Sequence, residues 1–260
     1  MLKEFYTAAL SMIPQQTRLE VISNNLANAN TIGYKKSEVF ERNLIDARAN
    51  FFNVPTNIED NDPPIGSYII FSNGAFHQTG NKLDLAIQNE NAFFIVENNL
   101  GQQFFTKAGN FTISDEGYIV SEDGKKLIGS NGTINIMKQF LVDKFNAIDK
   151  QSLDIRISQY GEIFINDEEI DTINLAKIHN PQTLIRIDKS DFIKNDNTEI
   201  TYVDPDQVNI KQGWLEQSNV NMIEEMIEMI ELQRLFETNN KVITTNNETL
   251  NDSLAMSRFF

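Results

Sequence analysis

The chain has 260 residues, of which 40% are hydrophobic and 18 are phenylalanine, so it holds enough apolar material for one large folded domain or two modest ones. Its net charge of −15 argues against nucleic acid as a main partner and against electrostatic attachment to an anionic membrane. Because it contains no cysteine, disulfides, thiolate catalysis and cysteine-ligated zinc are excluded.

The first thirty residues carry a heptad pattern that predicts a helix packed lengthwise against a partner. The positions that recur in steps of four and three, with two neighbours that widen the stripe, are Phe5, Ala9, Met12, Gln16, Leu19, Val21, Ile22, Ser23 and Leu26. Pro14 interrupts this stripe, either by kinking the helix or by starting a new helix at its first position, and we favour the new helix. Polar residues around Pro14 also break the apolar run that a signal peptide needs, so we expect no cleaved signal peptide.

The middle of the chain predicts an extended connection over residues 34–66 and then β-structure up to about Tyr202. Its short apolar runs are Tyr68–Phe71, Ala92–Val96, Phe104–Phe105 and Glu162–Ile165. The turn sequences that separate such runs are Asn73-Gly74, Asn98–Gly101, Asp115–Gly117 and Asp123-Gly124. This spacing indicates an antiparallel sandwich or a barrel-like domain.

The last forty residues predict a second, longer helix. Its stripe of steps of four and three runs without a break through Met222, Met226, Met229, Gln233, Phe236, Asn240, Ile243, Asn247, Leu250 and Leu254. Asn221 followed by Glu224 predicts a capping box at its start. A helix of this length, about 50 Å, exceeds what a domain of this size needs for its own core, so we expect the stripe to serve a partner.

Together these elements predict an α+β multi-domain protein, in which N- and C-terminal helices form a coiled-coil end domain and a β-rich antiparallel domain lies between them. The expected segments are the N-terminal helical part, the connection, the β-rich middle domain, the return connection and the C-terminal helical part, over residues 1–33, 34–66, 67–205, 206–221 and 222–260.

Catalytic chemistry has little support in the sequence. His77 and His179 each stand alone, and no zinc-protease, phosphate-loop, serine-elbow or dinucleotide-binding motif occurs. A methionine stripe such as Met222, Met226 and Met229 is more typical of helix packing than of metal binding. We therefore expect no enzyme, and no catalytic, metal or cofactor site.

Four segments resemble a known family when they are taken together. Residues 23–36, SNNLANANTIGYKK, are similar to the N-terminal signature of the flagellar rod and hook family, and residues 213–221, GWLEQSNVN, are similar to its C-terminal signature. Residues 79–87 and 104–111 resemble its central β-domain. The matches span nearly the whole chain, in order and at the right spacing.

This resemblance implies a structural subunit of the basal-body rod, either proximal or distal, that transmits torque from the motor to the hook. The implied partners are copies of itself, other rod and hook proteins and the flagellar export apparatus, with no nucleic acid and no direct membrane insertion. The implied location is the periplasm-spanning rod. The residues expected to pack between subunits are Phe5, Met12, Leu19, Ile22, Asn24, Asn25, Leu26, Asn28, Gly33, Met222, Met226, Met229, Gln233, Phe236, Ile243 and Leu250.

Two other classes of protein fit parts of the pattern. An extracellular binding module or adhesin, trimerised by its C-terminal coiled coil, accounts for the second helix but leaves the N-terminal signature unexplained. A wall-cleaving enzyme fits a structure that must cross peptidoglycan, but the sequence offers no acid/base pair to support it.

Overall fold

The computed structural model describes residues 2–41, 65–136, 154–166, 168–204 and 207–257. These residues form two compact units. The helical unit contains the described residues of Met1–Ala27, Ser37–Ile70 and Val220–Phe260, and the β-rich unit contains those of Asn28–Lys36 and Phe71–Asn219. Both units therefore draw on distant parts of the sequence.

These units divide the chain at residues other than the predicted boundaries, because the connection is shared between them. Residues 37–41 and 65–69 pair as strands beside the first helix and so belong to the helical unit. Tyr34 and Lys35 are 2% and 0% exposed within the β-rich unit. Burial of these two large side chains places the second half of the N-terminal signature with the sheets.

In the helical unit, helices from the two ends of the chain pack against each other, and the first helix also packs against a pair of antiparallel strands. Helix α1 spans Leu2–Ala27 and helix α2 spans Met222–Ser257, while strands β1 (Ser37–Glu41) and β2 (Ile65–Ile69) are antiparallel. The Asn221 side chain accepts a hydrogen bond from the backbone N–H of Ile223 at 3.2 Å. Asn221 is therefore the N-cap of α2, as its sequence predicts.

Helix α1 runs through Pro14 without a break, so the predicted new helix starting at Pro14 is wrong. A proline inside a helix loses one backbone hydrogen bond and costs roughly 3 kcal/mol. The neighbouring Gln15 is only 9% exposed and accepts a hydrogen bond from Asn239 of α2 at 3.2 Å, and Ile22 is 3% exposed. These contacts with the rest of the unit hold the helix together on the C-terminal side of Pro14.

The β-rich unit is built from antiparallel pairs, as predicted. Its strands are β3 (Phe76–Gln78), β4 (Leu85–Ile87), β5 (Ala92–Glu97), β6 (Gln103–Thr106), β7 (Thr112–Ile113), β8 (Ile119–Val120), β9 (Lys126–Gly129), β10 (Gly132–Thr133), β11 (Ile155–Ile157), β12 (Glu162–Ile165), β13 (Glu168–Thr172), β14 (Leu175–Ile178), β15 (Ile185–Arg186), β16 (Asp191–Ile193), β17 (Ile200–Tyr202), β18 (Ile210–Gln212) and β19 (Trp214–Glu216). One short 3-10 helix spans Pro181–Thr183.

Within the described residues, the largest sheet has ten strands in the order β15-β16-β6-β5-β9-β8-β7, with β10 beside β9 and with β14 between β5 and β17. A three-stranded sheet has the order β11-β12-β13. Two further pairs, β18 with β4 and β19 with β3, join the end of the unit to its beginning. The fold of the β-rich unit is therefore closed by its last two strands.

Three of the four predicted turn sequences connect adjacent antiparallel strands. Asn98–Gly101 joins β5 to β6, Asp115–Gly117 joins β7 to β8, and Asp123-Gly124 joins β8 to β9. Asn73-Gly74 is not a hairpin turn, because it lies in the irregular segment 70–75 between β2 and β3, which do not pair with each other. A Cβ on Gly74 would lie 2.0 Å from the carbonyl oxygen of Gln217, so this glycine allows two backbones to approach closely.

The core of the β-rich unit is aliphatic and aromatic. Strand β5 is buried on both faces, and the Phe94 ring meets the Phe111 ring edge-on at 5.1 Å. A second aromatic cluster consists of Phe71, Phe93 and Phe192, with ring centroids 5.4–6.1 Å apart. Much of the phenylalanine content thus serves this core.

We predict that Pro14→Ala stabilises the helix pair by about 1–3 kcal/mol, because alanine restores the missing helical hydrogen bond. The measurement is a thermal melt followed by the helical circular-dichroism band. Pro181→Ala, at the start of the 3-10 helix, is the matched control and leaves that band unchanged. An unchanged melt or a loss of helix in Pro14→Ala would contradict a continuous α1.

Candidate functional site

The predicted packing residues of α1 are buried in the helical unit to different degrees. Ile22 is buried, whereas Met12, Leu19 and Leu26 are half-buried. The side chains of Phe5 on α1 and of Leu250 on α2 lie outside the part of the chain that the structure describes. The half-buried side chains leave α1 with apolar surface for further contacts.

Two polar pairs set how α1 and α2 meet. The Asn25 amide donates to the Glu225 carboxylate at 3.0 Å, and the Asn239 amide donates to Gln15 at 3.2 Å. Since Asn25 follows Gln15 along α1 while Glu225 precedes Asn239 along α2, the two helices are antiparallel. Polar pairs of this kind specify register between helices.

Asn25 is the member of the N-terminal signature that ties the helical unit together. It is 1% exposed, donates to the carbonyl of Ser37 at 2.9 Å and accepts from the Ser37 N–H at 3.0 Å, besides its bond to Glu225. Its neighbour Asn24 is exposed. The two adjacent asparagines therefore have different environments, and the buried Asn25 joins α1 to both β1 and α2.

The inward face of α2 differs from the predicted stripe by a small rotation about the helix. Glu225 and Leu232 are 1% and 6% exposed, and the half-buried residues on the same face are Glu228, Met229, Phe236, Asn239, Ile243 and Asn246. Met229, Phe236 and Ile243 belong to both stripes, whereas Met222, Met226 and Gln233 are exposed. The Asn25–Glu225 and Gln15–Asn239 pairs account for this rotation, because they bring polar α2 positions inward.

An apolar stripe remains exposed on α2, and the sequence analysis did not single it out. Ile223, Met226, Ile227 and Ile230 are 70%, 48%, 53% and 48% exposed. They lie at positions i, i+3, i+4 and i+7, so they form one face of the first turns of α2. We call these four residues the outer stripe. A helical-wheel reading of the sequence contains this signal.

In the β-rich unit, the two family-like signatures meet at one buried ion pair. The Lys35 ammonium lies 2.6 Å from Oε1 of Glu216, and their side chains are 1% and 0% exposed. Lys35 also donates to the Ser72 carbonyl at 2.9 Å, and the same Glu216 oxygen accepts the Gly74 N–H at 2.9 Å. Glu216 thus binds two segments from the N-terminal part of the unit, one at Lys35 and one at Gly74.

Backbone contacts extend this junction on either side of the ion pair. The Gly33 N–H donates to the Glu216 carbonyl at 2.8 Å, and the Lys36 N–H donates to the Asn219 side chain at 2.6 Å. Gly33 has a φ of +67°, and a Cβ there would lie 2.4 Å from the backbone nitrogen of Ala108. Glycine is therefore required at this position, for both its conformation and its space.

Two further cations lie in the same unit. Lys107 is 1% exposed, donates to the Asn89 carbonyl at 2.7 Å and lies 5.2 Å from the centre of the Phe93 ring. The Arg186 guanidinium stacks on the rings of Tyr34 and Phe192 and donates to the Tyr34 hydroxyl. Aromatic faces thus take part of the role that counter-ions usually have.

Burial changes the protonation equilibria of both lysines. Removal from water lowers the pKa of Lys107 to about 7, and the charge of Glu216 only partly opposes this, while Lys35 adds to it. Burial also lowers the pKa of Lys35, against the opposing effect of its bond to Glu216. One carboxylate therefore serves two buried ammonium groups.

The other predicted signature residues have local roles. The backbone carbonyl and the side chain of Asn28 accept hydrogen bonds from Thr31, at 3.0 and 3.2 Å, and so shape the turn that follows α1.

His77 and His179 are both exposed. In the described ranges, no group of three or more His, Cys, Asp or Glu residues is placed to hold a metal ion. No helix among the residues described is long and apolar enough to cross a membrane.

Comparisons with known proteins agree with this distribution of features. The chain matches the family models described as "Flagella basal body rod protein" over residues 5–35, "Flagellar hook protein FlgE/F/G D1 domain" over residues 86–165 and "Flagellar basal body rod FlgEFG protein C-terminal" over residues 211–256. It is 31% identical over 278 residues to the flagellar basal-body rod protein FlgG of Bacillus subtilis, with 99% of this chain and 100% of that one covered.

The chain belongs to the flagellar basal-body rod protein family. It is also 31% identical to FlgG of Agrobacterium fabrum, with 93% and 94% of the two chains covered, and 31% identical to FlgF of Buchnera aphidicola subsp. Schizaphis graminum, with 93% and 91% covered. As a rod protein it is a structural component of the flagellum and not an enzyme. The adhesin alternative has no support from these matches.

Sequence reasoning about this rod protein missed the residues that join its two signatures. Lys35 was noted only as part of the N-terminal motif, and Glu216 only as part of the C-terminal motif. Lys107 was noted only within residues 104–111, and Arg186 belongs to none of the quoted segments. A single sequence holds no signal that pairs residues 181 positions apart, so only the tertiary structure brings them together.

We predict that Lys107→Met removes much of the pH dependence of stability of the β-rich unit. Since the pKa of Lys107 is about 7 when folded and ordinarily 10.5, the unfolded chain binds more protons between these values, and stability rises with pH by at most about 1.4 kcal/mol per pH unit. Below about pH 7 both states are protonated and the contribution is constant. Neighbouring charges on Lys35, Glu216 and Glu90 stay in place.

The measurement is urea unfolding across this pH range, followed by fluorescence of Trp214, the only tryptophan in the chain. Lys82→Met is the matched control, because it removes the same charge from a side chain that is 54% exposed, and it keeps the wild-type pH profile. A wild-type profile in Lys107→Met would contradict the role assigned to burial.

Proposed function

We propose that this rod subunit assembles through its terminal helices, with the α1–α2 pair packing as a coiled coil against the same pair in neighbouring copies. The observation that carries this proposal is the outer stripe of α2. It consists of apolar side chains at helical spacing, and about half or more of each side chain is exposed in the single chain. Such a face is typical of a helix that packs on both sides.

The energetics favour this use of the outer stripe. Full burial of one large aliphatic side chain contributes roughly 1.5–3 kcal/mol, so four of them offer enough to offset part of the cost of association. Beyond the outer stripe, the same face of α2 is polar and carries Arg234, Glu237 and Lys241. The apolar contact surface on this side is therefore confined to the start of α2.

The predicted packing residues fit the same proposal. Met226 is part of the outer stripe, and the exposed Met222 and Gln233 widen the surface available to neighbouring subunits. The half-buried Met12, Leu19 and Leu26 of α1 add to it.

We further propose that the assembled rod transmits torque from the motor to the hook, with copies of this chain and other rod and hook proteins as its neighbours. The names of the matched family models, which include both rod and hook proteins, support these partners. We expect delivery through the flagellar export apparatus, because the matched family models are those of flagellar rod and hook proteins.

We predict that the double substitution Ile223→Asp and Ile227→Asp abolishes rod assembly and motility, because each carboxylate would have to be buried without a partner in the assembled helices. Motility assays and electron microscopy of basal bodies measure the result. Lys241→Asp is the matched control, because it places a carboxylate on the same face about five turns later and assembles normally. Normal rods from the double variant would overturn the outer stripe as an assembly surface.

We also predict that a chain ending at Asn221 keeps a soluble, folded β-rich unit but does not join the rod. This chain lacks all of α2 and keeps every residue of the β-rich unit. Trp214 fluorescence reports folding, and incorporation into basal bodies reports assembly. Incorporation of this truncated chain would show that assembly does not need the terminal helix.

A further inference from the structure

We infer that Glu216 acts as a closure lock: the β-rich unit can bury Lys35 only after residues 213–219 have arrived, so its folding waits for nearly the whole chain. This inference goes beyond the assembly role, because it concerns the folding of one chain. Its grounds are the contacts of Glu216, the sequence separation of its partners and the position of Glu216 as the carboxylate within salt-bridge distance of Lys35, while Glu90 acts on Lys35 only through its charge.

The charge of Lys35 is buried. Its ammonium is enclosed, and Glu216 is the only carboxylate within salt-bridge distance of it among the described residues. Removing one partner of a buried ion pair leaves an uncompensated charge, which is strongly destabilising. Before Glu216 arrives, Lys35 therefore favours a position in water, and residues 33–36 cannot settle into the unit.

Glu216 contacts two separate segments: residues 33–36, through hydrogen bonds from the Lys35 ammonium and the Gly33 N–H, and the segment around Gly74, through the Gly74 N–H. Asn219 adds bonds to Lys36 and to the Ser72 carbonyl, at 2.6 and 3.1 Å. Residues 213–219 thus bind both N-terminal segments of the unit at once and hold them together.

The charge of Glu216 favours the protonated form of Lys107, whereas the charge of Lys35 opposes it. If Glu216 is absent, two buried ammonium groups face each other without this carboxylate. The need for Glu216 is therefore shared by Lys35 and Lys107.

The order of residues along the chain determines when this ion pair can form. Lys35 and Glu216 are 181 residues apart, and a growing chain presents Lys35 long before Glu216. A pair with such separation forms late, because the entropy of closing a long loop opposes it. The lock therefore keeps a partly delivered chain from completing the β-rich unit, whichever element of the sheets forms first.

The test is a double-mutant cycle in the full chain, with Glu216→Gln, Lys35→Met and both together. At about pH 8 most of the Lys107 population is neutral, since its pKa is about 7, so the cycle reports the Lys35–Glu216 pair. Urea unfolding followed by Trp214 fluorescence gives the unfolding equilibrium constant. Lys82→Met with Asp154→Asn is the matched control, an exposed ion pair at 2.8 Å.

We expect Glu216→Gln to raise the unfolding equilibrium constant by roughly 100- to 1,000-fold, because Lys35 is left buried without its counter-ion, and the double variant to return within about 10-fold of wild type. The exposed control pair changes it by less than about fivefold. Amide exchange is expected to accelerate in residues 33–36 together with residues 213–219 in Glu216→Gln.

Other results for Glu216→Gln and for the double variant also support or overturn the proposed role of Glu216. A change below about 10-fold in Glu216→Gln overturns it, as does acceleration of exchange in residues 213–219 alone. If Glu216→Gln does not fold at all, a folded double variant supports the lock. A double variant as unstable as Glu216→Gln overturns it, because the loss then comes from the other bonds of Glu216 and not from an unpaired Lys35.

Discussion

Burial of Lys35 is the constraint on which the β-rich unit depends. An ammonium group that is removed from water needs both a counter-ion and hydrogen-bond acceptors, and Glu216 and the Ser72 carbonyl supply them. Because Glu216 stands near the end of the unit and Lys35 near its beginning, this one requirement joins the first and last segments. The pairs β18–β4 and β19–β3 close the sheets in the same region of the sequence.

The N-terminal signature serves both units of the molecule, and its residues divide accordingly. Asn25 is buried in the helical unit, where it binds Ser37 and Glu225. Gly33, Tyr34 and Lys35 are buried in the β-rich unit. The sequence predicts that residues of this segment pack together between subunits. Its buried residues hold a single chain together, whereas Ser23, Asn24, Ala27 and Asn30 are exposed.

Helix α2 has two apolar faces with different roles. Its inner face meets α1 and includes buried polar residues, since Glu225 and Asn239 bind side chains of α1. Its outer stripe is wholly apolar and exposed. The polar pairs specify the register between α1 and α2, whereas an apolar surface favours association with another helix without residue-by-residue pairing. This division suits a helix that first pairs within its own chain and then packs between subunits.

The sequence by itself determined the elements of this protein: two terminal helices, an antiparallel β-rich middle and the turns at Asn98–Gly101, Asp115–Gly117 and Asp123-Gly124. Periodicity and turn chemistry are local properties, so they can be read from neighbouring residues. The tertiary structure alone decided the course of α1 through Pro14, the close backbone approach at Gly74, the inward face of α2 and the pairing of Lys35 with Glu216. Each of these depends on contacts between residues far apart in the chain, where packing and buried charge outweigh local preference.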